Sequence, residues 1–180
     1  MAHPALDGLR LRGRLLELRP FTEADITATY LGWLNDPLVV RYSNQRFREH
    51  DAAGALAYLR GFDAGANLFL SARRMDSGEA VGTLTAYIAP PHGTADVGIM
   101  IGERSGWGQG LGQDAWDTLL QWLLGERGLR KVTAGALACN LGMIRLMEHS
   151  GMQLEGARRA QEIVDGEPVD VLYYARFAAA

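Results

Sequence analysis

Cysteine is nearly absent: among 180 residues there is one, Cys139, which excludes an intramolecular disulfide framework and fits a reducing, cytoplasmic setting. The four histidines, His3, His50, His92 and His149, are scattered too widely to build a metal cluster with it, so no metal is expected. Neither sign of charge dominates. With 18 basic against 21 acidic residues and a net charge of -3, the chain lacks the basic footprint of a nucleic-acid binder. No stretch approaches the roughly 20 apolar residues that span a bilayer, and MAHPALDGLRLRGR carries no apolar signal, so no membrane partner is expected. Repeats, low-complexity tracts and linkers are missing too. What remains is 48% hydrophobic composition, enough for one compact domain over residues 1–180, with 1–13 read as a loose leading segment and 178–180 as featureless.

Strand-like and helix-like segments alternate along that domain, which points to a mixed α/β class. Residues 14–19 read as a strand ended by Pro20. Thr22, with Asp25 three residues on, starts a helix that runs toward Trp33. Asn35, Asp36 and Pro37 make a turn, and Ala52, Ala55, Leu56 and Leu59 predict a second helix over 51–62. Strands at 68–74 and 80–89 meet across Asp76, Ser77 and Gly78, and a third follows at 94–101. A helix then runs from a glycine-rich loop to about residue 127, stopped by Gly128. A strand at 131–138, a short helix at 141–149 ended by Gly151, and two strands flanking Asp165 and Gly166 complete the chain.

The glycine loop is the most informative segment. Gly106, Trp107, Gly108, Gln109, Gly110, Leu111 and Gly112 place four glycines in seven residues directly before a helix. Missing Cβ atoms let a ligand approach the backbone, and the open N–H groups of a first helical turn favour an anionic phosphate. A dinucleotide fingerprint fails on spacing, because Gln113 stands where the third glycine belongs and no acidic residue ends the 131–138 strand. A P-loop fails as well, since neither lysine nor hydroxyl follows Gly112. The loop suits a diphosphate held by main-chain donors without a required metal, although a glycine loop that only turns strand into helix has the same composition.

Together these residues resemble the GNAT superfamily, whose cofactor loop reads approximately Arg/Gln, any, any, Gly, any, Gly/Ala. Gly110 and Gly112 hold the two small positions. Trp107 replaces the leading Arg or Gln, as in the branch of ribosomal-protein N-terminal and amino-sugar acetyltransferases, which often reads Trp-Gly-Gln/Lys-Gly. The resemblance extends through LELRPFTEAD at 16–25, YLGWLNDPLVVRY at 30–42, VGIMIGERSGWGQGLG at 97–112 and NLGMIRLMEHSG at 140–151. It implies a twisted sheet of six or seven strands with a central βαβ unit that binds acetyl-CoA, and it leaves a homodimer open. The backbone from Trp107 through Gly108, Gln109, Gly110, Leu111 and Gly112 is then expected to cradle the pyrophosphate. Ile99, Met100 and Ile101 would flank the pantetheine arm, with Asn140 and Met143 opposite; Asn140 also suits a helix cap.

The implied reaction moves an acetyl group to a primary amine by direct attack on the thioester, with no covalent enzyme intermediate. The acceptor is read as a small molecule such as an amino sugar; a protein amino terminus is the alternative. The carboxylates that could accept the proton are Glu103, ranked first, and Asp96, and either also reads as an ordinary charged residue. The family's thiolate-protonating tyrosine falls on Met147, which donates no proton, and Met143 stands where the ribosomal-protein branch often has serine. Water, Tyr173 or Tyr174 would have to substitute, and a non-catalytic acyl-CoA-binding module becomes a competing reading. Trp33, Tyr42 and Phe47 are candidates for the acceptor pocket, or for plain core packing. Cys139 invites a nucleophile hypothesis, against which stands a small buried hydrophobe at a strand end.

Overall fold

Alternating apolar residues assemble one eight-stranded sheet in a computed structural model of the protein, which describes residues 8–179. The elements are β1 (Leu11–Arg12), β2 (Leu16–Pro20), α1 (Ala28–Leu34), α2 (Ala52–Arg60), β3 (Leu68–Arg74), β4 (Ala80–Ala89), β5 (Thr94–Ile101), α3 (Leu111–Leu124), β6 (Lys131–Leu137), α4 (Leu141–His149), β7 (Gln153–Val164) and β8 (Glu167–Phe177). Their order across the sheet is β1-β2-β3-β4-β5-β6-β8-β7. Every neighbouring pair is antiparallel except β5 and β6, the two strands joined through α3. The mixed α/β class and the central βαβ unit are as expected. Eight strands replace six or seven because β1 is only two residues long, too short to show alternation. Leu11 pairs with Leu18, so ordered chain begins inside the segment read as loose. The rest of that expectation, at residues 1–7, and the last residue, 180, lie outside the described residues.

One expected helix divides in two. Thr22 and Asp25 do form a capping box, but only around a 3₁₀ turn at Glu23–Asp25, and α1 starts afresh on Thr27, whose hydroxyl accepts from the Tyr30 N–H. The Asp25 carboxylate explains the break: it is 4% exposed and bonded to Arg19 at 3.0 Å, Arg73 at 2.6 Å and both the N–H and hydroxyl of Thr22. Those tertiary partners hold the turn where a continuing helix would carry the side chain away.

The two faces of the sheet are packed differently. Ala95, Val97 and Ile99 of β5 join the larger core beneath α3, whose Leu111, Ala115, Trp116, Leu119, Leu120 and Leu123 are buried; each large side chain there contributes about 1.5–3 kcal/mol. By alternation Asp96, Gly98 and Met100 point the other way, and Met100 packs against the aromatic cluster of Phe21, Tyr30, Trp33, Phe62 and Phe69 around α1 and α2. The start of α3 is fixed from outside by Asp114, which accepts from the backbone N–H groups of Arg14, Leu15 and Leu16 at 2.8, 2.9 and 2.9 Å. A Cβ at Gly13 would come within 2.4 Å of that carboxylate, which requires glycine in the turn.

Candidate active site

Parallel pairing between β5 and β6 lasts only from Thr94–Lys131 to Asp96–Thr133, although β5 continues to Ile101 and β6 to Leu137. The strands therefore part, leaving one edge of β5 unpaired. The indole N–H of Trp107 donates to the Ile101 carbonyl at 2.8 Å, whereas the Met100 carbonyl faces β4, only 2.2 Å from where a Gly82 Cβ would stand. Alternation then turns the N–H and carbonyl of Ile99 into the gap.

The glycine loop stands at the open end. A 3₁₀ turn at Arg104–Gly106 leads into Gly108 and Gly110, whose φ angles of +75° and +81° favour glycine. Among the described residues, the backbone N–H groups of Gly108, Gly110, Leu111, Gly112 and Gln113 have no protein acceptor. They open on the positive end of a 14-residue helix. Across the gap the Asn140 side chain caps α4 by accepting from the Met143 N–H at 3.2 Å. A cleft of about 940 Å³ runs between these groups. Ile99, Met100, Ile101, Trp107, Gly108, Gly110, Leu111, Gly112, Asn140 and Met143 line it; Gln109 does not, because its amide folds back onto the Ser105 carbonyl at 2.7 Å.

The two acids are placed unequally. Glu103 lies at the glycine-loop end, outside the cleft lining, where its carboxylate accepts from the Ser105 hydroxyl. Asp96, which also lies outside the cleft lining, occupies the last paired rung before the strands part and accepts from the Thr133 hydroxyl at 2.7 Å. Desolvation raises its pKa above the ordinary carboxylate value, and the Thr133 bond only partly opposes this.

Of the three expected acceptor-pocket aromatics only Tyr42 lines the cleft. Trp33 is 9% exposed and lies flat on Gly102, where an added Cβ would fall 2.0 Å from its ring, so its role is to fix the end of β5. Phe47 is 70% exposed and lines a separate cavity. Met147 is fully buried in the main core, and Tyr174, also buried, donates to Glu148 at 3.1 Å. Tyr173 lies on the opposite face, where a Cβ at Gly135 would touch its ring at 3.4 Å. Cys139 is exposed rather than buried, and it lies outside the cleft lining.

The structure adds residues that the sequence did not single out. Tyr30, Tyr58, Thr83 and Thr85 line the acceptor side, with Arg48, Glu49 and His50 further along the wall. Burial lifts the Tyr30 phenol to about 12, and burial with the 2.9 Å bond to Tyr87 raises that of Tyr58. Both phenols stay protonated at neutral pH. Tyr30, Tyr58 and the Thr83–Thr85 pair come from two helices and one strand, so nothing short of the fold brings them together.

The family profile described as an acetyltransferase (GNAT) domain matches residues 15–153. No curated protein sequence shows significant similarity to the chain. Solved structures share its fold. A ribosomal L7/L12 α-N-protein acetyltransferase, RimL, in complex with coenzyme A is 19% identical with a TM-score of 0.83, covering 94% of this chain and 98% of that one. The Vibrio cholerae spermidine N-acetyltransferase, bound to coenzyme A and spermine, is 18% identical with a TM-score of 0.80, covering 91% and 96%. An acetyltransferase from Salmonella typhimurium that modifies the N-terminal serine of L7/L12 is 19% identical with a TM-score of 0.80, covering 95% and 100%.

Proposed function

The chain belongs to the GNAT acetyltransferase family, and from that membership we propose that it moves the acetyl group of acetyl-CoA to a primary amine of a small molecule such as an amino sugar. The observation that carries this reading is the parting of β5 from β6 beside a helix N-terminus stripped of side chains. The free N–H groups of Gly108, Gly110, Leu111, Gly112 and Gln113 suit the pyrophosphate, the open backbone of Ile99 suits the amides of the pantetheine arm, and Asn140 and Met143 bound the other side. The arm would then carry the thioester down the gap toward its closed end.

Asp96 and Thr133 form the last paired rung beyond that end, just outside the cleft lining, and on this position along the strand we assign proton acceptance to Asp96 in preference to Glu103. The neutral amine attacks the thioester carbonyl, the C–S bond breaks, and the nitrogen's proton passes to Asp96 directly or through water. The departing thiolate takes a proton from water or from Tyr173, since Met147 is inside the core and Tyr174 is engaged with Glu148. We further read residues 1–180 as one cytoplasmic acetyltransferase domain. Transfer to a protein amino terminus is the second reading, favoured by the activity named for two neighbours of the same fold.

The test is thiol release from acetyl-CoA across amino sugars, amino acids, polyamines and amino-terminal peptides, with Gly110→Glu as control. Amine-dependent release that falls a hundredfold or more in the control is the expected result. Coenzyme A binding without turnover of any amine would instead favour a non-catalytic acyl-CoA module.

A further inference from the structure

A second cavity, of about 880 Å³, lies between the loop after α1 and the tip of the β7–β8 hairpin at Ile163–Gly166. Leu34, Val40, Arg48, Glu49 and His50 line both this cavity and the cofactor cleft, so the chain from 34 to 50 is a wall common to the two. Three arginines face the second cavity. Two are committed to the fold: Arg41 pairs with Asp165 at 3.1 Å, and Arg46 reaches the Ser43 and Ile163 carbonyls at 2.8 and 3.1 Å, with Glu162 at 3.8 Å. These bonds fasten the hairpin tip to the loop. His50 is held through its Nε2 contact with the Gln45 carbonyl at 3.1 Å.

Arg48 is different. Among the described residues its guanidinium has no hydrogen bond or ion pair, and its backbone is anchored by the Arg48 N–H to the Gln45 carbonyl at 3.1 Å. Glu49, next to it in the same wall, also has no partner among the described residues. An unpaired cation and an unpaired carboxylate, both solvent-exposed, thus occupy successive positions in the wall where the cleft meets a second cavity. A primary amine reaches an enzyme mainly as its ammonium ion, which matches Glu49, so Arg48 is left to match a negative group elsewhere on the same molecule.

Resting on the acetyl-transfer reading above, we propose that the acceptor carries a phosphate or carboxylate beside its amine, and that Arg48 binds this anion while the rest of the acceptor extends into the second cavity. Phe47, at its rim with Arg46 stacked 4.3 Å above the ring, supplies an apolar flank for the body of the molecule. A polycation finds only one free carboxylate on this wall and a repelling guanidinium next to it, so polyamines are disfavoured.

The test uses matched pairs that differ in one charge: glucosamine 6-phosphate against glucosamine, and amino-terminal peptides with glutamate or glutamine at the second and third positions. For each pair kcat/KM is measured, together with direct binding to the coenzyme A-loaded protein. The charged member of at least one pair is expected to be favoured by about tenfold or more, the order of one charge-assisted bond. Which pair responds separates a sugar phosphate from an acidic peptide as the source. Arg48→Gln is expected to bring that ratio close to one through KM, and Arg127→Gln, on an exposed turn away from both cavities, to leave it intact. Equal handling of both members in every pair, or a preference that survives Arg48→Gln, overturns the proposal. A preference seen in binding with no turnover upholds the anion site and overturns the acetyl-transfer reading instead.

Discussion

The cofactor side and the acceptor side of this molecule are built on opposite plans. From β5 through the glycine loop into α3, the proposed donor site rests on backbone groups of one continuous, glycine-rich segment. Along the wall proposed for the acceptor, the cleft is lined by side chains, Tyr30, Tyr42, Arg48, Glu49, Tyr58, Thr83 and Thr85, delivered from α1, α2, β4 and an irregular loop. The first plan tolerates change in most side chains but not added bulk or charge; the second depends on each side chain and on whatever holds its element in place. The difference teaches why a common donor could be read from the chain and an individual acceptor could not.

That contrast can be broken most severely at the rung where the two sides meet. Asp96→Asn is expected to lower kcat by about 10²–10⁴-fold and to remove the acid limb of the pH–rate profile, whereas Glu103→Gln should leave both nearly unchanged. With Asp96 ionised as the active form, activity in the parent protein rises with pH through a pKa above the ordinary 3.8. An unaltered profile in Asp96→Asn would return proton acceptance to water.

Asp25 tests what holds the acceptor wall in position. Burial opposes its ionisation, but bonds from Arg73, Thr22 and Arg19 outweigh that and keep its pKa below the ordinary 3.8. Its contribution to stability is therefore complete above about pH 3.8 and is lost as pH falls through the depressed value. Asp25→Ala strands two partly buried arginines, and a cost of about 3–5 kcal/mol in denaturant unfolding is expected. The smallest effect sharpens the cofactor side: Trp107→Phe removes the bond to the Ile101 carbonyl, so KM for acetyl-CoA should rise roughly two- to tenfold with kcat preserved.

Much of the fold was legible because its signals are local. Strands β3, β4 and β5 and helix α4 begin and end at the residues that alternation, glycine and helical spacing indicate. Asn140 was legible as a cap. The 22–33 segment was misread because Asp25 answers to Arg73, 48 positions away, and β1 was missed because two residues carry no period. Glu103, just beyond β5, ranked ahead of Asp96, near its start, in the sequence. The parting of β5 from β6 distinguishes them, by leaving Glu103 beside the glycine loop and Asp96 on the last paired rung.

What the sequence by itself determined was the local form of the loop: glycines before a helix leave a backbone free of Cβ atoms with open N–H groups, since both are properties of adjacent residues. Tertiary structure alone decided which acid stands on the last paired rung, that Met147 is core, that Trp33 seals a strand end and that Arg48 stands unpaired between two cavities. Those outcomes depend on which distant side chains meet, and burial and charge pairing are created only when the chain has closed on itself.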